Sequence, residues 1–431
     1  MRFSGFRLSV SARRALITLI ASTLISAASA ASAEKIVHAF SNIGDGIGPT
    51  APLTAAGGGV FFGTTLSGGT GKRSVCKYGC GTIFELRRTG NGWTKTTIYS
   101  FRGDSDGWYP NGGMILDNVG NLYGTTHFGG AYGLGTAFEL SPSGGTWKET
   151  ILYSFGSYPS DGVWPIAGMI SDSEGNLYGT TGFGGGGTKD GGTVFELVRS
   201  TGWTENILHV FGNGSDGSVV VGGLVMDSAG NLFGTTDEGG TGSSCFYGCG
   251  IVFELTPSLG TWSESVLHNF TGNPDGASSE SGLIFDDVGN LYGVTEGGGT
   301  GFQCENGPCG TVFEIVRGSS GTWTETVLYS FGSYQNDAWE PISALTMDKS
   351  GNLYGATYQG GTGFCIGGCG AVFKLVPSSS GWSESLLHSF LATADGRYPG
   401  GGVVLDSAGN LYGTTGGGGP NNLGIVYEVV P

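Results

Sequence analysis

Three side chains suited to acid–base chemistry occupy one position of a recurring phrase. His127, Asp237 and Glu296 each come directly after a version of the tetrapeptide YGTT. An imidazole and a carboxylate can serve as general base and general acid when both reach a common substrate. The other copies of the phrase place Leu66, Gly182, Tyr358 and Gly416 at this position. Specific chemistry requires such asymmetry, although sequence drift in a loop would produce it too.

Tryptophans lie in loops near the same phrase. Trp108, Trp164 and Trp339 can stack on sugar rings or other flat ligands, and we group them with Tyr358 as a candidate ligand rim. One hypothesis is therefore a non-enzymatic propeller that binds an extracellular glycan or protein. The alternative is a lyase or hydrolase that uses His127 with Asp237 or Glu296. The sequence contains no nucleophile elbow, histidine-based metal motif or phosphate loop, so we predict no cofactor and no metal site.

Two further series recur along the chain. An aspartate is present in every repeat, at Asp45, Asp106, Asp161, Asp216, Asp275, Asp337 and Asp395, and six of them precede glycine. Asp-Gly is typical of turns, whereas DSDG at Asp104 and Asp106 is only a fragment of a calcium loop without its downstream Glu. His38, His209, His268 and His388 share one position with Tyr99, Tyr153 and Tyr329. This interchange with tyrosine favours a packing role.

The positions above belong to a repeat that fills the chain. The glycine of each YGTT-like phrase falls at Gly63, Gly124, Gly179, Gly234, Gly293, Gly355 and Gly413. Successive glycines are 55 to 62 residues apart, which gives seven repeats of about 57 residues. A fixed period of this length is typical of solenoids, propellers and arrays.

Each repeat contains four short segments rich in Val, Ile, Phe, Tyr, Thr and Trp, which are strand formers. In the third repeat, NLYGTT, GTVFEL and WTENILHVF are three of them, and turn residues separate them. The sequence therefore predicts an all-β, seven-bladed propeller of four-stranded antiparallel blades. Residues 34–40 resemble a fourth strand without the first three, and residues 424–431 contain a third strand without its fourth. We predict that the N-terminal strand completes the last blade and closes the ring.

Residues 1–33 have the pattern of a signal peptide, with four arginines before an apolar run and a small-residue site ending at Ala33. We therefore expect residues 34–431 to form the propeller, secreted to the periplasm or outside the cell. Without those arginines the chain carries 15 Lys and Arg against 35 Asp and Glu, a net charge of about −20. This charge disfavours nucleic acid as a partner. We expect a monomer with no membrane anchor in the mature chain.

All eight cysteines lie in the predicted mature chain. They form four local pairs, Cys76 with Cys80, Cys245 with Cys249, Cys304 with Cys309 and Cys365 with Cys369. An even number of cysteines in an exported chain predicts disulfides. Zinc is the alternative, but the pairs lie in separate repeats and thiolates persist poorly in an oxidising compartment.

The phrase D-x-x-G-N-L-Y-G-T-T, followed by glycine-rich sequence and G-T-V-F-E/K-L, resembles the GloVer tandem repeat of exported bacterial proteins. The resemblance covers essentially the whole mature chain, and the first repeat departs most, reading AGGGVFFGTT at residues 56–65. It implies an extracellular role and a propeller, and no established chemistry. Members of that family often end in a cell-surface sorting anchor. The sequence here ends at Pro431 directly after a strand, so we do not expect anchoring by that route.

Overall fold

The structure is a computed structural model that describes residues 33–72, 74–302, 304 and 309–431. The predicted signal peptide, residues 1–33, lies outside the described residues except for Ala33. The described residues form seven four-stranded antiparallel sheets, and the helical segments among them are two short 3-10 turns, Asp104–Asp106 and Arg199–Thr201. The predicted all-β, seven-bladed propeller is confirmed.

The four strands of each blade are called inner, second, third and outer. The inner strands are Thr54–Gly57, Ile115–Leu116, Ile170–Ser171, Val225–Met226, Ile284–Phe285, Thr346–Met347 and Val403–Leu405. The second strands are Val60–Thr65, Leu122–Thr126, Leu177–Thr181, Leu232–Thr235, Leu291–Thr295, Leu353–Thr357 and Leu411–Thr415. The third strands are Thr82–Thr89, Thr136–Ser143, Thr193–Val198, Ile251–Ser258, Thr311–Arg317, Ala371–Ser378 and Ile425–Val430. The outer strands are Gly92–Ser100, Thr146–Ser154, Thr204–Val210, Thr261–Asn269, Trp323–Ser330, Gly381–Ser389 and, from the N-terminus, Ala33–Ala39. Two small ribbons pair Gly162–Val163 with Phe183–Gly184 and Ala338–Trp339 with Gln359–Gly360.

The N-terminal strand completes the seventh blade, as the sequence predicts. Ala33–Ala39 pairs antiparallel with Ile425–Val430, with Glu34 opposite Val429. The first and last blades also meet directly, because the Thr414 hydroxyl donates to the Ala51 carbonyl at 3.1 Å. The ring is therefore closed both within a blade and between blades.

The aspartate that opens the repeated phrase organises the turn between the inner and second strands. In the fifth blade, Asp286 accepts hydrogen bonds from the backbone N–H groups of Val288 and Asn290, at 3.0 and 2.8 Å. Its second oxygen accepts from the Asn290 amide and the Tyr292 hydroxyl. The turns at Asp117, Asp172, Asp227, Asp348 and Asp406 repeat the backbone contacts and the Asn contact. The phrase recurs because six of the seven turns use the same acceptor.

The two threonines of the phrase have different partners. In the second, third, fourth and seventh blades the first donates to a carbonyl of the next blade, as Thr125 does to Ala167 at 2.9 Å. The second lies inside its own blade, where Thr126 donates to the Phe128 carbonyl and contacts the hydroxyl of Thr136. One threonine therefore joins neighbouring blades, and the other fixes the start of the next loop.

The glycine of the phrase lies beneath an aromatic ring of the third strand. A Cβ on Gly63 would lie 2.4 Å from the Phe84 ring, and one on Gly124 would lie 2.7 Å from the Phe138 ring. The glycine therefore makes room for a ring of its own blade. The same phenylalanines contact the preceding blade, as Phe101 does Phe138 at 5.4 Å between centroids. This buried aromatic contact recurs at all seven blade junctions.

The fifth blade provides a test of the turn, because two aspartates stand side by side there. We expect Asp286→Ala to lower the free energy of unfolding by about 2 kcal/mol, since two backbone N–H groups and two side chains lose their acceptor. The exposed Asp287 is the matched control, and Asp287→Ala should change stability by less than about 0.5 kcal/mol. Urea denaturation of both variants measures the difference, and equal losses would contradict this role for the turn.

Candidate binding rim at the mouth of the central channel

The long loops of each blade lie on one face of the ring. The loop that follows an outer strand pairs with the loop between the second and third strands, as in the short bridges Ile47 to Ser67 and Ser218 to Glu238. These two loops carry the candidate residues that follow YGTT and the tryptophans. The structure therefore places the candidate residues on a common face.

A backbone frame repeats seven times at the inner edge of this face. Its first position has a left-handed backbone, with φ between 57° and 66°, and is occupied by Gly48, Tyr109, Trp164, Val219, Ser278, Glu340 and Tyr398. The carbonyl of that residue accepts the N–H of the residue after YGTT, as Tyr109 does from His127 at 3.0 Å. Left-handed backbone is costly for a β-branched residue such as Val219. The fold therefore imposes this left-handed backbone whatever residue occupies the position.

At this edge, which we call the rim, the residue after YGTT lies next to the left-handed residue of the following blade, and side chains interact at four of the seven junctions. Each pair joins the residue after YGTT to the left-handed residue of the next blade. In chain order the pairs are Leu66/Tyr109, His127/Trp164, Gly182/Val219, Asp237/Ser278, Glu296/Glu340, Tyr358/Tyr398 and Gly416/Gly48. The seven pairs share one backbone geometry but differ in residue types.

Two rim pairs are aromatic. His127 stacks on Trp164 with 6.0 Å between ring centroids, and Tyr358 stacks on Tyr398 at 4.8 Å with an interplanar angle of 19°. The indole N–H of Trp164 is buried without a hydrogen-bond partner among the described residues. These rings are partly exposed, so they offer flat surfaces to a ligand.

The rim between the fourth and sixth blades is acidic. Asp237 and Glu296, the carboxyls singled out from the sequence, lie in one electrostatic cluster with Glu280 and Glu340. Burial, followed by the nearby Glu296 and Asp237, raises the pKa of Glu280 to about 7. Burial also raises the pKa of Asp237, Glu296 and Glu340. Four crowded carboxyls favour a proton or a hydrogen-bond donor in their midst.

Two hollows adjoin the rim. The central channel encloses about 430 Å³ and is lined mainly by glycine and small apolar residues, with Glu280 and Tyr358 at its wall. A cleft of about 660 Å³ lies outside the rim, between the loops of the second and third blades. Trp164 lines this cleft with Tyr158 and Phe183, and it also contacts His127. It therefore lies where the cleft and the rim meet.

The remaining candidate residues lie elsewhere on the face. Trp108 stacks on Phe128 at 4.5 Å, and Trp339 belongs to a small ribbon with Gln359. Both stand one residue before the left-handed rim position. His127 contacts Phe128 and Trp164, and burial alone lowers its pKa. The structure thus brings Asp237 and Glu296 together, while His127 lies in the aromatic part of the rim.

The four predicted disulfides are present, each within a loop between second and third strands. The loops of the fourth to sixth blades expose apolar side chains at their tips, namely Phe246, Phe302, Phe364 and Ile366. The disulfides restrict these glycine-rich loops beside the rim.

Six of the recurring aspartates lie within hydrogen-bonding distance of a recurring histidine or tyrosine seven or eight residues earlier, and the seventh, Asp216, lies 3.5 Å from His209. Tyr99 donates to Asp106 at 3.0 Å, and His268 lies 3.1 Å from Asp275. The calcium fragment DSDG is occupied by cationic side chains, since Asp104 pairs with Lys72 and Asp106 with Arg102. These contacts give a structural role to the recurring aspartates and to the recurring histidines and tyrosines.

One group among the described residues has donor atoms spaced for a metal ion: His268, Asp275 and Glu325. The same arrangement recurs with tyrosine in place of histidine at three other blade junctions. A role common to all junctions therefore explains this group better than a metal does. In the part of the chain that the structure describes, no helix has the length and apolar character needed to cross a bilayer.

Residues 20–246 and 241–431 match the Gloeobacter/Verrucomicrobia repeat family. No curated protein matches the chain. Among solved structures, the extracellular domain assigned to a hybrid two component system of B. thetaiotaomicron is similar, with 14% identity and a TM-score of 0.53. The match covers 90% of this chain and 39% of that one, so the chain spans about two fifths of that structure's length.

Two proteins assigned as 6-phosphogluconolactonases are also similar in fold, each with a TM-score of 0.50. The protein from Bacteroides uniformis is 13% identical, and the match covers 77% of this chain and 84% of that one. The protein from Bacteroides fragilis is 16% identical, with 84% and 89% covered. At such identities the similarity concerns the fold alone.

The acidic part of the rim predicts a pH effect on stability. The folded-state pKa of Glu280 is raised from 4.5 to about 7, so its stabilising contribution is complete below pH 4.5 and is lost as the pH rises through 7. We expect Glu280→Gln to be more stable than the wild type by about 1 kcal/mol at pH 8, and equally stable at pH 4.5. Thermal unfolding at both pH values measures this, with the exposed Glu174→Gln as control. A variant that loses stability at pH 8 would refute the effect.

Proposed function

The chain belongs to the Gloeobacter/Verrucomicrobia repeat family, and we propose that its propeller is a non-enzymatic binding module that recognises an extracellular glycan at its rim. A protein ligand is the alternative outcome of the test below. We propose that the module acts in the periplasm or outside the cell, which agrees with its four disulfides.

The rim frame is the observation that supports this function. The fold repeats one backbone geometry at seven junctions, including the left-handed position at Val219, yet the paired side chains differ at each junction. A frame that is constant while its side chains vary is typical of surfaces where a rigid scaffold presents specific contacts. Strain at positions exposed on a channel mouth is also common at binding sites.

The chemistry of the rim suits a glycan. Sugars present apolar ring faces, which stack on aromatic rings such as Trp164 and Tyr398, and hydroxyls, which donate to carboxylates. The acidic part of the rim provides those acceptors, with Asp237 and Glu296 within one cluster. One residue of each kind, Tyr358 and Glu280, lines the central channel. An anionic polymer would be repelled by the four carboxyls, which agrees with the predicted exclusion of nucleic acid.

Catalysis by His127 with Asp237 or Glu296 has less support. The imidazole of His127 lies between aromatic rings in the second and third blades, and its pKa is lowered by burial without a carboxylate partner. The carboxyls lie in the fourth to sixth blades. A general base and a general acid must reach the same substrate. Stacking orients the His127 side chain, which suits a binding surface better than proton transfer.

Glycan and peptide arrays probed with purified residues 34–431 test the proposal. We expect selective glycan binding that Trp164→Ala weakens at least tenfold, because aromatic anchors dominate binding energy. The matched control is Tyr132→Ala, an exposed aromatic on a loop of the second blade. Peptide binding lost in the same variant would favour a protein ligand. Binding unaffected by Trp164→Ala, or turnover abolished by His127→Ala, would overturn the proposal.

A further inference from the structure

Carboxyl groups meet at the outer edge of the blade junctions, far from the rim. At each junction the loop aspartate, held by the histidine or tyrosine of its own blade, faces one side chain from the outer strand of the next blade. In chain order from the second blade that side chain is Glu149, Glu205, Glu264, Glu325, Glu384 and Glu34, and in the first blade it is Lys95. We call each set a junction triad.

The exceptional triad shows what the position requires. In the first blade the Lys95 ammonium donates to Asp45 at 2.8 Å, and the Lys95 side chain is only 4% exposed. A donor therefore faces the aspartate where the chain carries lysine. The other six blades carry glutamate there, which can donate only when it is protonated.

The six glutamates also leave acceptor atoms without donors. One carboxylate oxygen of each, Oε1, is buried and has no hydrogen-bond partner among the described residues. The facing Asp106 and Asp161 are 3% and 2% exposed, and each has an equally isolated Oδ1. Two ionised carboxylates in such a place would pay for desolvation and repulsion together. A single proton at each triad removes both costs.

We propose that six of the seven blade junctions hold their glutamate in the neutral, protonated form, facing an ionised aspartate, and that the proton there replaces the Lys95 ammonium. The ring is then most stable in weak acid. As the pH rises past neutrality, these triads lose protons and the junctions acquire uncompensated negative charge.

In the three triads that contain tyrosine, the glutamate titrates without a histidine beside it. Glu205 faces Asp161 and accepts hydrogen bonds from the Tyr153 and Tyr158 hydroxyls at 3.1 and 2.7 Å. Glu384 faces Asp337, Tyr329 and Tyr334. Glu149 faces Asp106 and Tyr99, with the Arg102 guanidinium nearby. Arg102 already binds Asp106, and it is the only cation among these partners.

The direction of the pH effect follows from these surroundings. Burial, followed by the charge of the facing aspartate, raises the pKa of Glu149 and Glu205 to about 7, and burial raises that of Glu384 to about 7 as well. A raised folded-state pKa gives stability that is complete below 4.5 and lost as the pH rises through 7.

The triads with histidine add an opposing effect. Burial lowers the pKa of His38 and His209, so their contribution is lost as the pH falls. Glu264 faces Asp216 and His209, Glu325 faces Asp275 and His268, and Glu34 faces Asp395 and His388. The tyrosine triads therefore give the cleaner measurement.

A divalent cation could also neutralise such carboxyls. A cation site would have to form with tyrosine in three triads and histidine in three, and with Lys95 already in place at the seventh. The proton needs no such change of ligands, so it accounts for the six glutamate junctions, and the Lys95 ammonium replaces it at the seventh.

Thermal unfolding of residues 34–431 between pH 5 and 8.5 tests the proposal. We expect the unfolding equilibrium constant of the wild type to rise about tenfold for each tyrosine triad across this range, a figure that allows for screening of partly exposed carboxyls. The triple variant Glu149→Gln, Glu205→Gln and Glu384→Gln keeps a donor without a charge. It should match the wild type at pH 5 and unfold at a higher temperature at pH 8.5. Glu174→Gln, on an exposed turn, is the control.

Two further measurements protect the test against a folding failure. The single variant Glu205→Lys copies the first blade and should remain folded with a reduced pH slope. The infrared carbonyl band of protonated carboxyls should be present in the wild type at pH 6 and weaker in the triple variant. Wild-type stability that is constant or rises with pH, or stabilisation at pH 8.5 by calcium that the triple variant lacks, would overturn the proposal.

Discussion

The closed ring depends on the antiparallel pairing of Ala33–Ala39 with Ile425–Val430. These strands are nearly four hundred positions apart in the sequence, and their pairing turns a row of seven sheets into a ring. In an open row, the first and last blades would each expose a face and an edge. The rim pairs and the junction triads join adjacent blades, so the seventh of each exists only because the ring closes. The junction between the seventh and first blades contains the lysine triad, in which Lys95 of the first blade pairs with Asp45.

Different residues of the repeated phrase have different structural roles. The aspartate holds the turn, one threonine joins the next blade, and the glycine makes room for a phenylalanine that contacts the preceding blade. Because the backbone is determined this completely, side chains can vary at the rim without disturbing the fold. The fourteen rim positions vary in this way, so aromatic and acidic residues occupy different parts of the rim around the channel.

The sequence predicted the architecture because periodic signals report periodic structure. The spacing of YGTT, the four strand segments and the incomplete ends fixed seven blades and their closure, and the local cysteine pairs fixed the disulfides. Half of the rim was also visible, since His127, Asp237 and Glu296 stand out after YGTT. Their partners Trp164, Ser278 and Glu340 were not recognised as a series, because a left-handed backbone leaves no common residue type at its position. The one available signal is the proline that follows several of them, as at Trp164 and Glu340.

Contacts between repeats were the part that sequence could not provide. Tyr99 and Asp106 are close in the sequence, so their contact can be inferred from it. Glu149, however, approaches them from the next blade. Likewise, the sequence does not show which ring lies against the glycine of YGTT. Such contacts depend on the angle between adjacent sheets, which a strand pattern does not determine.

Hydrogen exchange of the backbone amides in Ile425–Val430 tests ring closure most directly. This strand is paired on both sides only if Ala33–Ala39 lies beside it. Closure predicts protection equal to that of Ala371–Ser378, the third strand of the sixth blade, at every amide. Fast exchange at the alternate amides that face the N-terminal strand would show an open edge and contradict the closed ring.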